Sequence, residues 1–462
     1  MTLTTAQIDR ACGVLLATAA GDALGAPYEF QPARGPEKQV AMVGGGGFGW
    51  APGEWTDDTS MAIAIAEVAA TGVDLRDEAA QDAIVERWHG WSRTAKDVGI
   101  QTRAVLSRAT AEGGWAATAL AASRTHHERT GHTAGNGALM RTAPVALAYL
   151  HDEDALVAAA RQISALTHYD PDARDACVVW CCAIRHAVLT GELDVRVGLR
   201  HLDAESRATW SKRLDVAEAS RPADIANNGW VVAALQAAWS AISATNTVVD
   251  GLDAAVRAGD DTDTVAAIAG GLLGATHGAS AIPSTWRRLL HGWPGLKSRD
   301  LIALTNRIIK ADNEFPRPQG PAIAVRHPYD EGVWLGNAAA LLTPPEGVDA
   351  IVSLCRVHDD DLPAGVEQID VRLVDRDGAE ANRNLDMVLS DTVDLIDRLR
   401  REGRIVLVHC HGAYSRTPTI GALYGARVGK AGVDEALSDV LAVLPGANPN
   451  PGFRAALKRL AP

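Results

Sequence analysis

Two short clusters of hydroxyl and carboxylate side chains, Thr56-Asp57-Asp58 and Asp261-Thr262-Asp263-Thr264, each stand directly before an alanine-rich apolar run. The runs 60–66 and 265–269 read as buried helices, so each cluster falls at a helix start, where neighbouring side chains lie close to a common point. Carboxylate and threonine oxygens are hard ligands. Two such helix starts facing each other suit Mg²⁺ or Mn²⁺ rather than zinc. Taken singly, each cluster reads as well as a helix cap, because Asp and Thr are preferred N-caps and acids favour the first turn. A second constellation is Cys410-x5-Arg416, which follows the β-type run 405–408 and precedes a helical stretch. The backbone N–H groups of His411, Gly412, Ala413, Tyr414 and Ser415 can wrap a phosphate at that helix start while Arg416 binds it bidentately. The same positive field favours a thiolate at Cys410, a nucleophile able to attack phosphorus and form a phosphocysteine. Cys410 by itself would read only as a buried thiol.

The elements around these residues differ in kind along the chain. To about Lys310, alanine-rich segments recur at helical periodicity, at 5–20, 58–70, 153–166, 173–189 and 229–243, with few strand patterns. This predicts an all-α domain over 1–310. Residues 311–321 turn to proline, glycine and polar residues, the composition of a linker. Over 322–462 come β-type runs at 332–335, 350–354, 367–373 and 405–408, with amphipathic helical stretches at 383–401 and 433–444. Strands alternating with helices predict a small α/β domain, and the chain as a whole a multidomain protein.

The chain has 462 residues and a formal charge of -13, which argues against broad grip on nucleic acid and leaves room for a local basic pocket. No signal peptide or membrane-spanning run is evident, so a cytoplasmic protein without a membrane partner is expected. The six cysteines form no CxxC pair and are expected to be reduced thiols; Cys177, Cys181 and Cys182 sit in an apolar stretch as small core residues. Gly44-Gly45-Gly46-Gly47 lacks the Gly-Lys-Ser/Thr ending of a phosphate-binding loop and reads as a flexible loop. The stretch Asp261-Thr262-Asp263-Thr264-Val265 resembles the acid signature of haloacid-dehalogenase-like phosphatases. That signature needs a buried strand before it, and residues 254–260 have no strand character.

Gly21-Asp22-Ala23-Leu24-Gly25-Ala26-Pro27-Tyr28-Glu29-Phe30, the stretch 52–61 around Thr56-Asp57-Asp58, Gly135-Asn136-Gly137-Ala138-Leu139-Met140-Arg141 and the Asp261 cluster together closely resemble the ADP-ribosylglycohydrolase family over residues 8–309. The resemblance implies an all-α fold holding two Mg²⁺ or Mn²⁺ ions, with Thr56, Asp57, Asp58, Asp261, Asp263 and Thr264 as ligands. It implies hydrolysis of the bond between C1'' of ADP-ribose and a modified acceptor, a protein or small molecule, through an oxocarbenium-like state. Glu29 matches a catalytic carboxylate. Asp97 matches an acid of the branch acting on ADP-ribosyl-arginine, which favours arginine as acceptor. Gly99, Asn136, Gly137, Ala138, His168, Gly229 and Trp230 match positions near the ligand. Without the family, His168 and Trp230 would read as core residues.

The Cys410 loop, with Val333-Trp334-Leu335-Gly336 and Pro449-Asn450-Pro451-Gly452-Phe453, resembles dual-specificity protein tyrosine phosphatases over 322–462. That implies a phosphorylated substrate, no metal, and an aspartate as general acid, Asp375 or else Asp377. Thr417 is expected to hydrogen-bond the thiolate. The family places glycine at the third residue after the cysteine, where this chain has Ala413. If that position needs positive φ, alanine costs about 1–2 kcal/mol. The expected whole is a bifunctional hydrolase. The alternatives are an ADP-ribosylhydrolase with a non-catalytic phosphate-binding C-terminal domain, or a reader of ADP-ribose or phosphorylated partners.

Overall fold

The computed structural model describes residues 2–311, 320–357, 363–378 and 381–461, so most of the expected linker, 312–319, lies outside the described residues. The chain divides into two compact units, one of residues 1–282 and 289–311, the other of residues 283–288 and 312–462.

The first unit is helical, with one two-residue ladder pairing His291–Gly292 with Leu296–Lys297. Helix α1 (Thr5–Gly25) starts in a capping box: the Thr4 hydroxyl accepts the Gln7 N–H, and the Gln7 side chain accepts the Thr4 N–H. From Arg10 onward every residue of α1 is buried, which suits an alanine-rich sequence that is apolar on all sides. The other expected helices appear as α2 (Asp57–Ala69), Glu153–Ala165, α3 (Pro171–Thr190) and Val231–Ser243. Before the Asp261 cluster the chain is the helix Val248–Val256, so the strand required by the rival acid signature is absent there.

Helix α4 (Thr262–His277) lies antiparallel against α1 with backbone touching backbone. A Cβ added at Gly21 would sit 2.1 Å from the Ala266 carbonyl oxygen, and one at Gly25 2.5 Å from Cα of Asp263. Only glycine permits that approach. It brings the end of α1, which carries Asp22, onto the start of α4, which carries Asp263. No helix among the described residues is long and apolar enough to cross a membrane.

The second unit holds a five-stranded sheet: β1 (Ala324–His327), β2 (Asp330–Asn337), β3 (Ala350–Ser353), β4 (Glu367–Asp370) and β5 (Val406–Cys410), in the order β1-β2-β5-β3-β4. Only the β1–β2 pair is antiparallel. The strand expected over 367–373 stops at Asp370 because its neighbour β3 ends at Ser353, the partner of Asp370 in the register. Helix α5 (Leu385–Arg401) turns Val388, Leu389, Val393, Ile396 and Leu399 into the core. Strand β5 is central and wholly buried, and it delivers His409 and Cys410 to the carboxyl end of the sheet, directly before helix α6 (Arg416–Gly429). The chain is therefore a multidomain protein, with a helical part followed by an α/β part.

Candidate active sites

In the first unit the two acid clusters converge. Ligand oxygens of Asp22, Asp58 and Asp263 all lie within 4.8 Å of one another, as do those of Glu29, Asp261 and Asp263. Asp22 does the capping at the start of α2: its carboxylate accepts the N–H of Thr56 at 2.8 Å and of Thr59 at 3.0 Å. The Thr56 side chain makes no cap bond of its own, and its hydroxyl donates to Asp58 Oδ2 at 3.0 Å. The cap reading of Thr56 therefore gives way to one in which its hydroxyl holds Asp58, whose carboxylate faces Asp22 and Asp263.

Burial raises the pKa of Glu29, Asp57, Asp58 and Asp263, and the charges of the neighbouring carboxylates raise it further. Burial likewise raises Asp22, Asp97 and Asp261. Buried carboxylates crowded in this way need compensating positive charge. Asp58 Oδ1 is buried without a hydrogen-bond partner among the described residues. An orphaned carboxylate oxygen among hard oxygen donors fits a divalent cation of the Mg²⁺ or Mn²⁺ type.

Two turns close the site. Asn136 and Gly229 are joined by a 3.1 Å backbone bond, and Gly135 bridges Trp230. The Asn136 amide donates to Asp261 Oδ2 at 2.7 Å and to the Asn228 carbonyl at 3.0 Å. Gly137 and Ala138 complete the first turn, with His168 behind it: a Cβ on Gly137 would lie 3.0 Å from His168 Cε1. Thr102 stands between Gly137 and Gly99, 3.5 and 3.7 Å from their would-be Cβ positions. Trp230 is 38 % exposed, unlike a core tryptophan. Thr264 is buried beside Asp263, whose Oδ1 accepts its N–H at 3.0 Å.

Sequence reasoning passed over Asp22 and Asn228. Asp22 carried a signal, a lone acid inside an otherwise apolar helical run. Asn228, which donates to Gly259 O at 2.8 Å and accepts the Asp261 N–H at 3.1 Å, carried none.

In the second unit the residues 411–415 link β5 to the start of α6, and Cys410 is buried beneath them. Arg416 Nη1 donates to the carbonyls of Leu354 and Leu373, each at 3.1 Å. Its buried Nε has no hydrogen-bond partner among the described residues and lies 3.9 Å from Asp375 Oδ2. Asp375 Oδ1 accepts the Asn450 amide at 3.1 Å, whereas Asp377 is occupied with the Gly452 N–H at 2.8 Å. Asn450 also donates its backbone N–H to Ser415 Oγ at 3.1 Å. His409 is buried, 2.7 Å from the Ser353 hydroxyl, and burial holds its pKa down at about 4. Tyr414 is exposed at the lip of the loop.

One expectation is revised and one condition is met. Thr417, expected to donate to the Cys410 sulfur, donates its hydroxyl to the Gly336 carbonyl at 3.2 Å, where the end of β2 offers a buried backbone acceptor. Ala413 does occupy positive φ, at 59°. The loop thus keeps its shape with alanine where glycine carries no strain.

The profile of the ADP-ribosylglycohydrolase family matches residues 3–316. The ADP-ribosylarginine hydrolase Tri1 of Pseudomonas putida (strain GB-1) is 33 % identical over 292 residues, which is 62 % of this chain and 75 % of that protein. Dual specificity protein phosphatase 1 of Arabidopsis thaliana is 31 % identical over 165 residues, 34 % of this chain and 77 % of that protein. Among solved structures, an ADP-ribosylglycohydrolase-related protein complex superposes with a TM-score of 0.52 at 30 % identity, over 66 % of this chain and 99 % of that one. The chain is a hydrolase that belongs to the ADP-ribosylglycohydrolase family, and its C-terminal region belongs with the dual-specificity protein phosphatases.

Proposed function

We propose that the first unit releases ADP-ribose from a modified arginine and that the second is a cysteine-dependent phosphomonoesterase. The observation that carries the first reading is the convergence of Asp22, Glu29, Asp58, Asp261 and Asp263 into one buried, mutually repelling group with an orphaned oxygen at Asp58. Thr56, Asp57, Asp58, Asp261, Asp263 and Thr264 would hold two divalent cations, Mg²⁺ or Mn²⁺. When bound, such ions supply positive charge that fixes ribose hydroxyls and orients a water.

The chain's own groups do the rest. Asn136 and the small residues Gly137, Ala138, Gly229 and Gly99 let the ligand approach the backbone, and Trp230 offers a face beside it. Glu29, at the edge of the cluster, takes a proton from the attacking water. Asp97 meets the guanidinium, a cation that pairs bidentately with a carboxylate. The water oxygen bonds to C1'', the C1''–N bond breaks, and the proton ends on the released guanidine nitrogen.

In the second unit, Cys410 sulfur bonds to phosphorus as the P–O bond to the leaving group breaks, and Asp375 gives the leaving oxygen its proton. Water then hydrolyses the phosphocysteine and returns the thiolate. Arg416 and the N–H groups of 411–415 hold the phosphoryl oxygens throughout. Release of ADP-ribose from an ADP-ribosylarginine peptide, and hydrolysis of p-nitrophenyl phosphate, test both halves. Asp263→Ala is expected to abolish the first activity alone and Cys410→Ser the second alone. ADP-ribose release that survives Asp263→Ala but not Cys410→Ser would overturn the assignment.

A further inference from the structure

Arg141 is wholly buried in the first unit. Its guanidinium stacks 3.9 Å over the Trp88 ring, Nη1 leans on Met61 Sδ at 3.7 Å, and Nη2 donates to Thr167 Oγ1 at 2.6 Å. Nε has no partner. A buried cation with one short hydrogen bond is an expensive thing to keep, so what that bond does bears on the site.

The same Thr167 Oγ1 lies 2.8 Å from His168 Nδ1. A guanidinium has donors only, so toward Arg141 the Thr167 oxygen must accept. A buried hydroxyl also needs an acceptor for its single hydrogen, and the one paired with Thr167 is His168 Nδ1. The Nδ1 lone pair is thereby used as an acceptor. Burial, with the nearby charge of Arg141, keeps His168 from taking a second proton, because its pKa is held well below the usual value. The single ring proton then resides on Nε2.

That nitrogen faces the turn that carries Asn136. Cβ atoms added at Gly137 and Gly135 would lie 3.2 and 3.3 Å from Nε2. Asn136, between those glycines, reaches Asp261 in the carboxylate cluster. His168 is 2 % exposed, and no acceptor for Nε2 is found among the described residues. A ring N–H that makes no hydrogen bond among the described residues, on an otherwise buried imidazole at the glycine edge of a site, points to a ligand oxygen.

We propose that Arg141 and Thr167 are positioning residues that fix His168 in the Nε2–H tautomer and so present a ring N–H to a phosphate or ribose oxygen of the bound nucleotide. The relay stands on the hydrogen bonds among Arg141, Thr167 and His168, with the lowered pKa of His168 in support, while naming the nucleotide as ADP-ribose rests on the hydrolase reading above.

The test is ¹⁵N NMR of the full chain labelled at histidine, with the His168 signals assigned through His168→Gln. Wild type is expected to show a bare Nδ1 and a protonated Nε2. Thr167→Ser should retain that pattern, and Thr167→Val should lose it to a mixture of tautomers. On adding ADP-ribose, the Nε2 signal should move in wild type, and Thr167→Val should bind ADP-ribose about tenfold more weakly by calorimetry. A proton on Nδ1 in wild type, or a tautomer unchanged in Thr167→Val, overturns the relay. ADP-ribose binding that leaves Nε2 unmoved overturns the donor role. If wild type binds no ADP-ribose at all, the hydrolase reading of the site fails, while the tautomer arms still decide the relay.

Discussion

Asp22 stands within α1 and accepts the N–H of Thr56 at 2.8 Å, so one helix caps the next across the carboxylate cluster. The arrangement gives the carboxylate two duties, holding the start of α2 and contributing charge to the cluster. They can be separated. Asp22→Ala removes both, with an expected stability loss of about 1–2 kcal/mol for the lost cap and a fall in ADP-ribose release. Asp22→Asn keeps one acceptor oxygen and removes a charge from a crowded site. It should cost less stability in chelator and gain less melting temperature than wild type on addition of Mn²⁺. Equal Mn²⁺ shifts in wild type and Asp22→Asn would show that Asp22 has only the structural duty.

Removing metal should divide the two activities. The acids of the first unit are raised by burial and by one another, which a dication relieves, whereas the mechanism proposed for Cys410 uses only Arg416, Asp375 and backbone N–H groups. Chelation is expected to stop ADP-ribose release and leave p-nitrophenyl phosphate hydrolysis unchanged. Loss of both activities in EDTA, restored together by Mn²⁺, would contradict this.

Ala413 holds a φ of 59°, a strain glycine relieves. Ala413→Gly is expected to raise phosphatase kcat several-fold and to gain on the order of 1 kcal/mol, after the larger unfolded-state entropy of glycine is subtracted. Urea unfolding and steady-state kinetics measure the two effects, and a slower enzyme would argue for a loop tuned to alanine.

Asn450 ties the Asp375 carboxylate to the Ser415 hydroxyl, so it holds the proposed proton donor against the loop 411–415. General acid catalysis matters most for poor leaving groups. Asp375→Asn should slow hydrolysis of phenyl phosphate by about 10²-fold or more and p-nitrophenyl phosphate far less. Asn450→Ala should show the same selectivity with a smaller size. An equal loss on both substrates would assign Asp375 to binding rather than proton transfer.

His409 has its pKa lowered by burial to about 4 from 6.5. On unfolding it takes up a proton between these values, so its contribution is complete above pH 6.5 and is lost as pH falls toward 4. The shift corresponds to about 3 kcal/mol. His409→Gln should therefore show a shallower acid loss of stability in the second unit, read from urea midpoints across this range. Parallel pH curves for wild type and variant would remove His409 as the cause.

Period and composition alone marked helical segments at 5–20 and 173–189, found as Thr5–Gly25 and Pro171–Thr190, together with the buried strand leading to Cys410 and the change in architecture between the two parts, because apolar periodicity is a local property of the chain. The motifs likewise named Asp57, Asp58, Asp261, Asp263, Cys410 and Arg416 from residue type and spacing. What local pattern could not decide was which oxygen faces which neighbour. Asp22 became a cap for α2 because glycines at 21 and 25 let α1 and α4 touch. Thr417 turned to Gly336 because β2 ends beside it, and Asp375 is set apart from Asp377 by the hydrogen bonds that Asn450 and Gly452 make. Each of these depends on atoms far apart in the chain competing for the same donor or acceptor, and that competition exists only once the backbone has brought them together.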